Sequence, residues 1–328
     1  KDGMANWSAE KVRKSQAAHG VAIVEVQDKG GKWEVVNPSK YARRITATTL
    51  SELSGPAAGH ALLKTAADTA GRVVLGTLNN CASGITPWGT YLTSEENFIN
   101  YFNGGDKLSD HEKRWGLKKG GGGYRWHEHD ARFDATQNPN EPNRFGWIVE
   151  IDPNNPNATP MKRTAMGRAA HEGATVAVTK DNRAVVYMGE DARFEYIYKF
   201  VSRDAIKSGG AAANATLLDH GTLYVAKFNA DGKGQWIALT QGQGPLTAAN
   251  GFADQAEVLI KSRQASDLLG ATKMDRPEWI DVDKQGWVYT TLTNNSNRGG
   301  DKQPAVDAAN PRANNTQGNI IRWKEDVD

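Results

Sequence analysis

Cys81, the only cysteine of the chain, stands fourteen residues ahead of the acidic run Glu95-Glu96-Asn97. A thiolate and carboxylates from one hairpin can converge on a metal ion, the sulfur as a soft ligand and the carboxylates as hard oxygen ligands. A lone cysteine forms no internal disulfide, and taken alone it reads as a small buried hydrophobe. Its setting argues for more. Gly84, Pro87 and Gly89 turn the backbone sharply before an apolar-polar strand at 90–93, and such a hairpin rim lets the chain approach a ligand closely.

Further acids recur in a pattern. Glu172 precedes a strand, a turn at Asp181-Asn182 and a second strand, and Glu278 precedes the same series with its turn at Gln285-Gly286. Glu190-Asp191 follows the second strand after Glu172, and Asn294-Asn295 takes the matching place after Glu278. Taken singly, each acid reads as a solvated loop residue; the repeat argues against coincidence. Hard oxygen donors from several units suit calcium or ferric iron better than zinc, and no CxxC or HExxH spacing occurs. His127 and His129 can share one face of a strand, but glycine-rich and asparagine-rich flanks place them in a polar loop, outside the metal shell.

Arg276, in Asp275-Arg276-Pro277-Glu278, sets a guanidinium beside a candidate ligand, where its planar fork can grip a phosphate. Taken alone, an arginine in that position reads as a salt-bridge partner of Asp275 or Glu278. A serine-hydrolase elbow, Gly-x-Ser-x-Gly, is absent. Thiol catalysis would need Cys81 beside a base such as His171, and surrounding carboxylates destabilise a thiolate unless a cation is bound. Metal ligation is the more consistent role for Cys81.

The elements that must position these residues are mostly short and alternating. Strands are expected at 21–26, 33–36, 72–76, 147–152, 175–179, 184–188, 196–201, 222–228, 235–239, 279–282, 287–292 and 320–323, with aromatic and β-branched residues bounded by Gly, Asn, Asp and Pro. Helices are expected at 9–19 with Ser8 as N-cap, at 59–65, at 253–264, and at 94–102 with the acidic cluster in its first turn. The fold class is therefore all-β or mostly β. The segments 147–152 and 196–200 lie about 49 residues apart and look like equivalent strands, a period that fits β-propeller blades. In a propeller the first strand of each blade lines the central channel, which would bring Glu172 and Glu278 to one axis.

Composition narrows the function classes. A chain of 328 residues with 38% hydrophobic content can bury a sizeable core. Its net charge of +2 gives none of the field that a nucleic-acid binder carries. No window approaches the roughly 18 apolar residues that a membrane span needs, mean hydropathy is negative, and the start Lys1-Asp2-Gly3 shows no export signal. The run 118–123, Lys-Lys-Gly-Gly-Gly-Gly, reads as a mobile loop, since neither the strand before nor the helix after a phosphate cradle is evident.

The run 80–97, Asn-Cys-Ala-Ser-Gly-Ile-Thr-Pro-Trp-Gly-Thr-Tyr-Leu-Thr-Ser-Glu-Glu-Asn, resembles the signature of PhoX-type alkaline phosphatases. The blocks at 144–153, 171–174, 189–193 and 275–281 are similar to that family's in the same order, and the resemblance covers roughly 75–325. It implies a six-bladed β-propeller, exported to the periplasm or secreted and monomeric, holding an iron (Fe3+) pair and several calcium ions. Carried onto this chain, the metal ligands would be Cys81, a glutamate of the pair Glu95 and Glu96, Glu172, Glu190, Asp191 and Glu278, with Arg276 as phosphate contact and Glu278 beside it in catalysis. The reaction implied is phosphomonoester hydrolysis on small-molecule substrates, with metal ions neutralising the phosphoryl oxygens and generating an oxide or hydroxide nucleophile. Family members are longer, so 1–328 is expected to be one propeller domain, incomplete relative to the family at both ends. Two other readings stand beside this one: a calcium-dependent propeller hydrolase of lactones or phosphotriesters, which needs channel acids but no cysteine ligand, and a non-catalytic binding propeller.

Overall fold

The computed structural model describes residues 4–326, and the chain folds into three main β-sheets with two small ribbons. Each main sheet begins with the same device, an antiparallel meander whose first strand lies at its inner edge. The first sheet has six strands, running from Asn80–Ile85 through Tyr91–Glu95, Ile148–Ile151 and Met161–Arg163 to Leu50–Ser54 and Val73–Leu75. The second runs Thr175–Val178, Arg183–Gly189, Ile197–Ala205, Gly221–Phe228, Gly234–Ala238. The third holds Pro277–Val282, Trp287–Leu292 and Asn319–Lys324. Ile148–Ile151 and Ile197–Ala205 are the third strands of their sheets, as their sequence likeness implies. The mostly-β class holds, but no sheet closes on itself among the described residues.

The three inner strands lie side by side, the first against the second and the second against the third. Two glycines permit this approach: a Cβ on Gly84 would strike the Ala174 carbonyl, and one on Gly189 would strike the Glu278 carbonyl. Behind the inner strands the sheet faces are apolar. One core packs Leu92, Ile148, Val186, Tyr198 and Val225; another packs Phe98, Tyr101, Trp126 and Trp147 behind the first sheet. A fully buried aromatic of this size removes about 200 Å² from water, on the order of 5 kcal/mol of transfer free energy.

Several expected elements differ. The helix at 94–102 does not form: Ser94 and Glu95 end a strand, because their register against Ile148–Ile151 satisfies more backbone groups, and only Phe98–Tyr101 makes a 3-10 turn. The helix at 59–65 shrinks to Ala61–Leu63, next to Pro56 and Gly59. That at 253–264 breaks at Lys261 into Gln255–Ile260 and Ser262–Leu268, started by the Asp254 cap. Ala9–Ala18 forms with Ser8 accepting from the Lys11 N–H, as expected. The strand at 21–26 is two, Val21–Ile23 and Val26–Asp28.

Candidate metal centre

Register, not proximity in sequence, assembles the site. In the first sheet Asn80 lies opposite Glu95, in the second His171 lies opposite Glu190, and in the third Pro277 lies opposite Leu292. One residue further along each inner strand stand Cys81, Glu172 and Glu278. One residue past each partner stand Glu96, Asp191 and Thr293. The chain carries a surplus residue at that point in each sheet, within the first and third inner strands and just ahead of the second. From Asn80 to Ser83, and again from Pro277 to Ile280, the inner strand uses one residue more than its partner. The same surplus separates His171, opposite Glu190, from Thr175, opposite Tyr187. A bulge swings one side chain off the alternating pattern, and here it aims the three donors at a common centre.

Two donor groups result. Cys81, Glu96 and Glu172 bring ligand atoms within 4.8 Å of one another, and so do Glu172, Asp191 and Glu278. Each group takes the inner-strand donor and the second-strand donor of one sheet together with the inner-strand donor of the next. The second group is thus the first advanced by one sheet, with Glu172 shared.

Of the residues picked from the sequence, Cys81, Glu96, Glu172, Asp191 and Glu278 meet here, and Glu95 and Glu190 do not. Successive residues at a strand end face opposite ways, so the first acid of each pair turns into the core. Glu95 is fully buried, paired with Lys162 Nζ at 2.7 Å and accepting from the Gly146 and Trp147 N–H groups at 2.9 and 3.1 Å. Glu190 is buried in the same manner, with Arg263 Nε at 2.7 Å and the Ala170 N–H at 3.0 Å. The cations that hold them, Lys162 and Arg263, lie 67 and 73 residues away in sequence, and nothing in the sequence pairs them with these acids.

Arg276 reaches the centre and forks onto Asp191, Nε to Oδ1 at 2.9 Å and Nη2 to Oδ2 at 3.0 Å, with Glu278 3.9 Å away. Its partner is therefore Asp191 rather than Asp275, which Arg298 and Asn295 hold. Trp279 is 62% exposed, while Trp88 and Trp126 are buried packing residues. His171 is no base for Cys81: its ring is buried against the Gly167 carbonyl, and burial pushes it down to about 4. His127 and His129 fall in and after a 3-10 turn, in neither donor group. Residues 118–123 form a loop docked through the Gly122 N–H on Asn100.

Four carboxyl groups and a thiol crowd around one guanidinium, and the protonation of Cys81, Glu96, Glu172 and Glu278 reflects it. Burial, with the charges of Glu172 and Asp191, pushes Glu96 up to about 8. Burial also raises Glu172 and Glu278. Desolvation of the Cys81 sulfur, with its 3.1 Å hydrogen bond to Glu172, pushes the thiol up to about 12. Groups that hold protons for want of positive charge make a donor set that fits cations. The set offers one soft and four hard donors.

The sequence model of the family described as alkaline phosphatase PhoX matches residues 1–328. Among solved structures, Pseudomonas fluorescens PhoX in complex with vanadate, a transition state analogue, is similar at 54% sequence identity and a TM-score of 0.94, over 98% of this chain and 57% of that one. No curated protein matches. The chain belongs to the PhoX alkaline phosphatase family and spans little more than half the length of that relative.

Proposed function

With that membership as premise, we propose that the chain supplies the metal- and phosphate-binding half of a metal-dependent phosphomonoesterase that releases inorganic phosphate from small organic phosphate esters. The observation that carries the reading is the doubled donor group around one arginine. Cys81, Glu96 and Glu172 would hold an iron ion, and Glu172, Asp191 and Glu278 a second cation, iron or calcium. Bound cations would supply charge neutralisation at the phosphoryl group and activation of a water nucleophile. The protein's own part is positioning. Arg276 presents two N–H donors in a plane, the arrangement that fits two phosphoryl oxygens, and Asp191 holds the fork until substrate competes for it. Glu278 limits how far the guanidinium can swing. The buried pairs Glu95–Lys162 and Glu190–Arg263 keep the strand ends in register, so we assign Glu95 and Glu190 a structural role.

The three meanders, inner edges together, are read as successive blades of a β-propeller, six in the complete protein, acting in the periplasm or outside the cell as a monomer. Among the described residues no helix is long and apolar enough to cross a membrane. The vanadate bound by the Pseudomonas relative supports the phosphoryl-transfer reading, and a cysteine inside a donor group argues against a purely calcium-dependent lactonase. Hydrolysis of a chromogenic phosphomonoester, with and without added calcium and with vanadate as competitor, tests it. Calcium-dependent, vanadate-inhibited turnover is expected. Retained metal without turnover or vanadate binding would instead assign the chain a non-catalytic binding role.

A further inference from the structure

The residue just before each inner-strand pair holds the second strand through its carbonyl: Asn79 accepts from the Glu96 N–H, Ala170 from that of Asp191 and Arg276 from that of Thr293. Two of the three stand in the left-handed region, Asn79 at φ 50° and Arg276 at φ 52°, where a non-glycine residue is uncommon and asparagine is enriched. Arg276 uses its side chain to grip the donor Asp191. At the equivalent place in the first sheet the side chain is an amide, and all its bonds go to the frame of Glu96. Asn79 Oδ1 accepts from the Asn97 N–H at 3.1 Å, and Nδ2 donates to the hydroxyls of Tyr101 at 2.9 Å and Tyr124 at 3.4 Å.

Those tyrosines are fixed in turn. Their rings stack at 3.8 Å and 16°. The Tyr101 hydroxyl lies 2.7 Å from His19 Nε2, and His19 Nδ1 lies 2.7 Å from the Ser15 carbonyl on the Ala9–Ala18 helix. A consistent direction follows: His19 donates to Ser15, Tyr101 donates to His19, and Asn79 donates to Tyr101. The chain of bonds ends on the two residues, Glu96 and Asn97, whose placement decides whether the first donor group closes.

We propose that Asn79 is a positioning residue for the first donor group, which holds Glu96 among Cys81 and Glu172 and ties its position to the N-terminal helix through Tyr101. The inference rests on the reading of that group as a cation site. Its test is iron retention by the purified whole chain during dialysis against a graded chelator, read by elemental analysis beside the melting temperature of the same samples. Asn79→Gly keeps the left-handed backbone and removes only the side-chain bonds. It should lower the chelator concentration that removes half the iron by about tenfold, the worth of roughly one to two hydrogen bonds. Tyr101→Phe should lower it severalfold. Asn214→Gly is the control. Asn214 is a buried asparagine that clamps Lys207 and Gly210, in a loop that contributes no donor, and its loss should lower the melting temperature without moving iron retention. Iron retention of Asn79→Gly within twofold of the parent, or an equal loss in Asn214→Gly, overturns the proposal. A parent chain that holds no iron overturns the cation reading itself, and the positioning role with it.

Discussion

The two donor groups share one backbone device and differ in chemistry. In both, an inner strand with a surplus residue in it or just ahead of it and the end of its neighbour meet the inner strand of the next sheet. In the first group a thiol fills the leading position, and the other two donors are buried glutamates. In the second the leading position is Glu172, the other donors are Asp191, its side chain 8% exposed, and Glu278, 26% exposed, and Arg276 is clamped on Asp191. The repeat sets geometry. In the proposed reading, single side chains at equivalent positions then set what each copy would hold: a soft ligand would suit iron in one, and an arginine would add an oxyanion partner in the other.

The largest change should come from the supports, not the donors. Lys162→Met leaves Glu95 buried without its cation, a loss of about 3–5 kcal/mol that a urea unfolding curve would register. Arg263→Met should do the same behind the second group. If either variant unfolds at the parent's midpoint, the two buried acids are not what hold these strand ends.

Glu172→Gln strikes both groups at once because they share it. Total calcium and iron affinity should fall by about 100-fold or more, beyond the 10–100-fold typical of losing an outer partner of a metal ligand. A one-sided loss would mean that the groups are not repeats around a common residue. Arg276→Ala should separate them in the other direction. Inorganic phosphate or vanadate should bind about tenfold more weakly for want of a charge-assisted pair, with cation uptake retained because Asp191 is freed.

The smallest effect is in pH. Glu96, held at about 8 by burial and neighbouring charge, keeps a proton in the folded metal-free chain that the unfolded chain has lost. Stability therefore falls as pH rises toward 8. His111 and His171, both pushed down to about 4 by burial, work the opposite way but only below the ordinary histidine value of about 6.5. Lys162, pushed down to about 8 by burial, acts only above the window. Between about pH 6.5 and 8 the metal-free melting temperature should drop on the order of 1 °C, and the iron-loaded chain should show no such drop. A flat metal-free profile would show that Glu96 does not sit among uncompensated charges.

Most of the strands are legible in the sequence, because period-two patterns such as Trp287–Leu292 report half-buried sheet faces directly, but Arg43–Ile45, Leu50–Ser54 and Met161–Arg163 are not. The sequence also carried the echo between Glu172 and Glu278. It did not carry the bulges, which depend on a register between strands, nor the choice between Glu95 and Glu96, which turns on where the strand ends. Ser94-Glu95-Glu96 has the composition of a helix's N-terminal turn, and sheet pairing with Ile148–Ile151 overrides it. Asn79 left only a faint trace: an asparagine before Asn80-Cys81 suits a left-handed residue, but the tyrosines it serves lie 22 and 45 residues away in sequence.

The most direct test counts metals. Elemental analysis of the parent chain, Cys81→Ala and Glu172→Gln, each after exhaustive dialysis, asks whether one device is used twice. Cys81→Ala should lose iron while keeping the second group's cation, and Glu172→Gln should lose both. Unchanged iron in Cys81→Ala, or a cation retained in full by Glu172→Gln, would contradict the account.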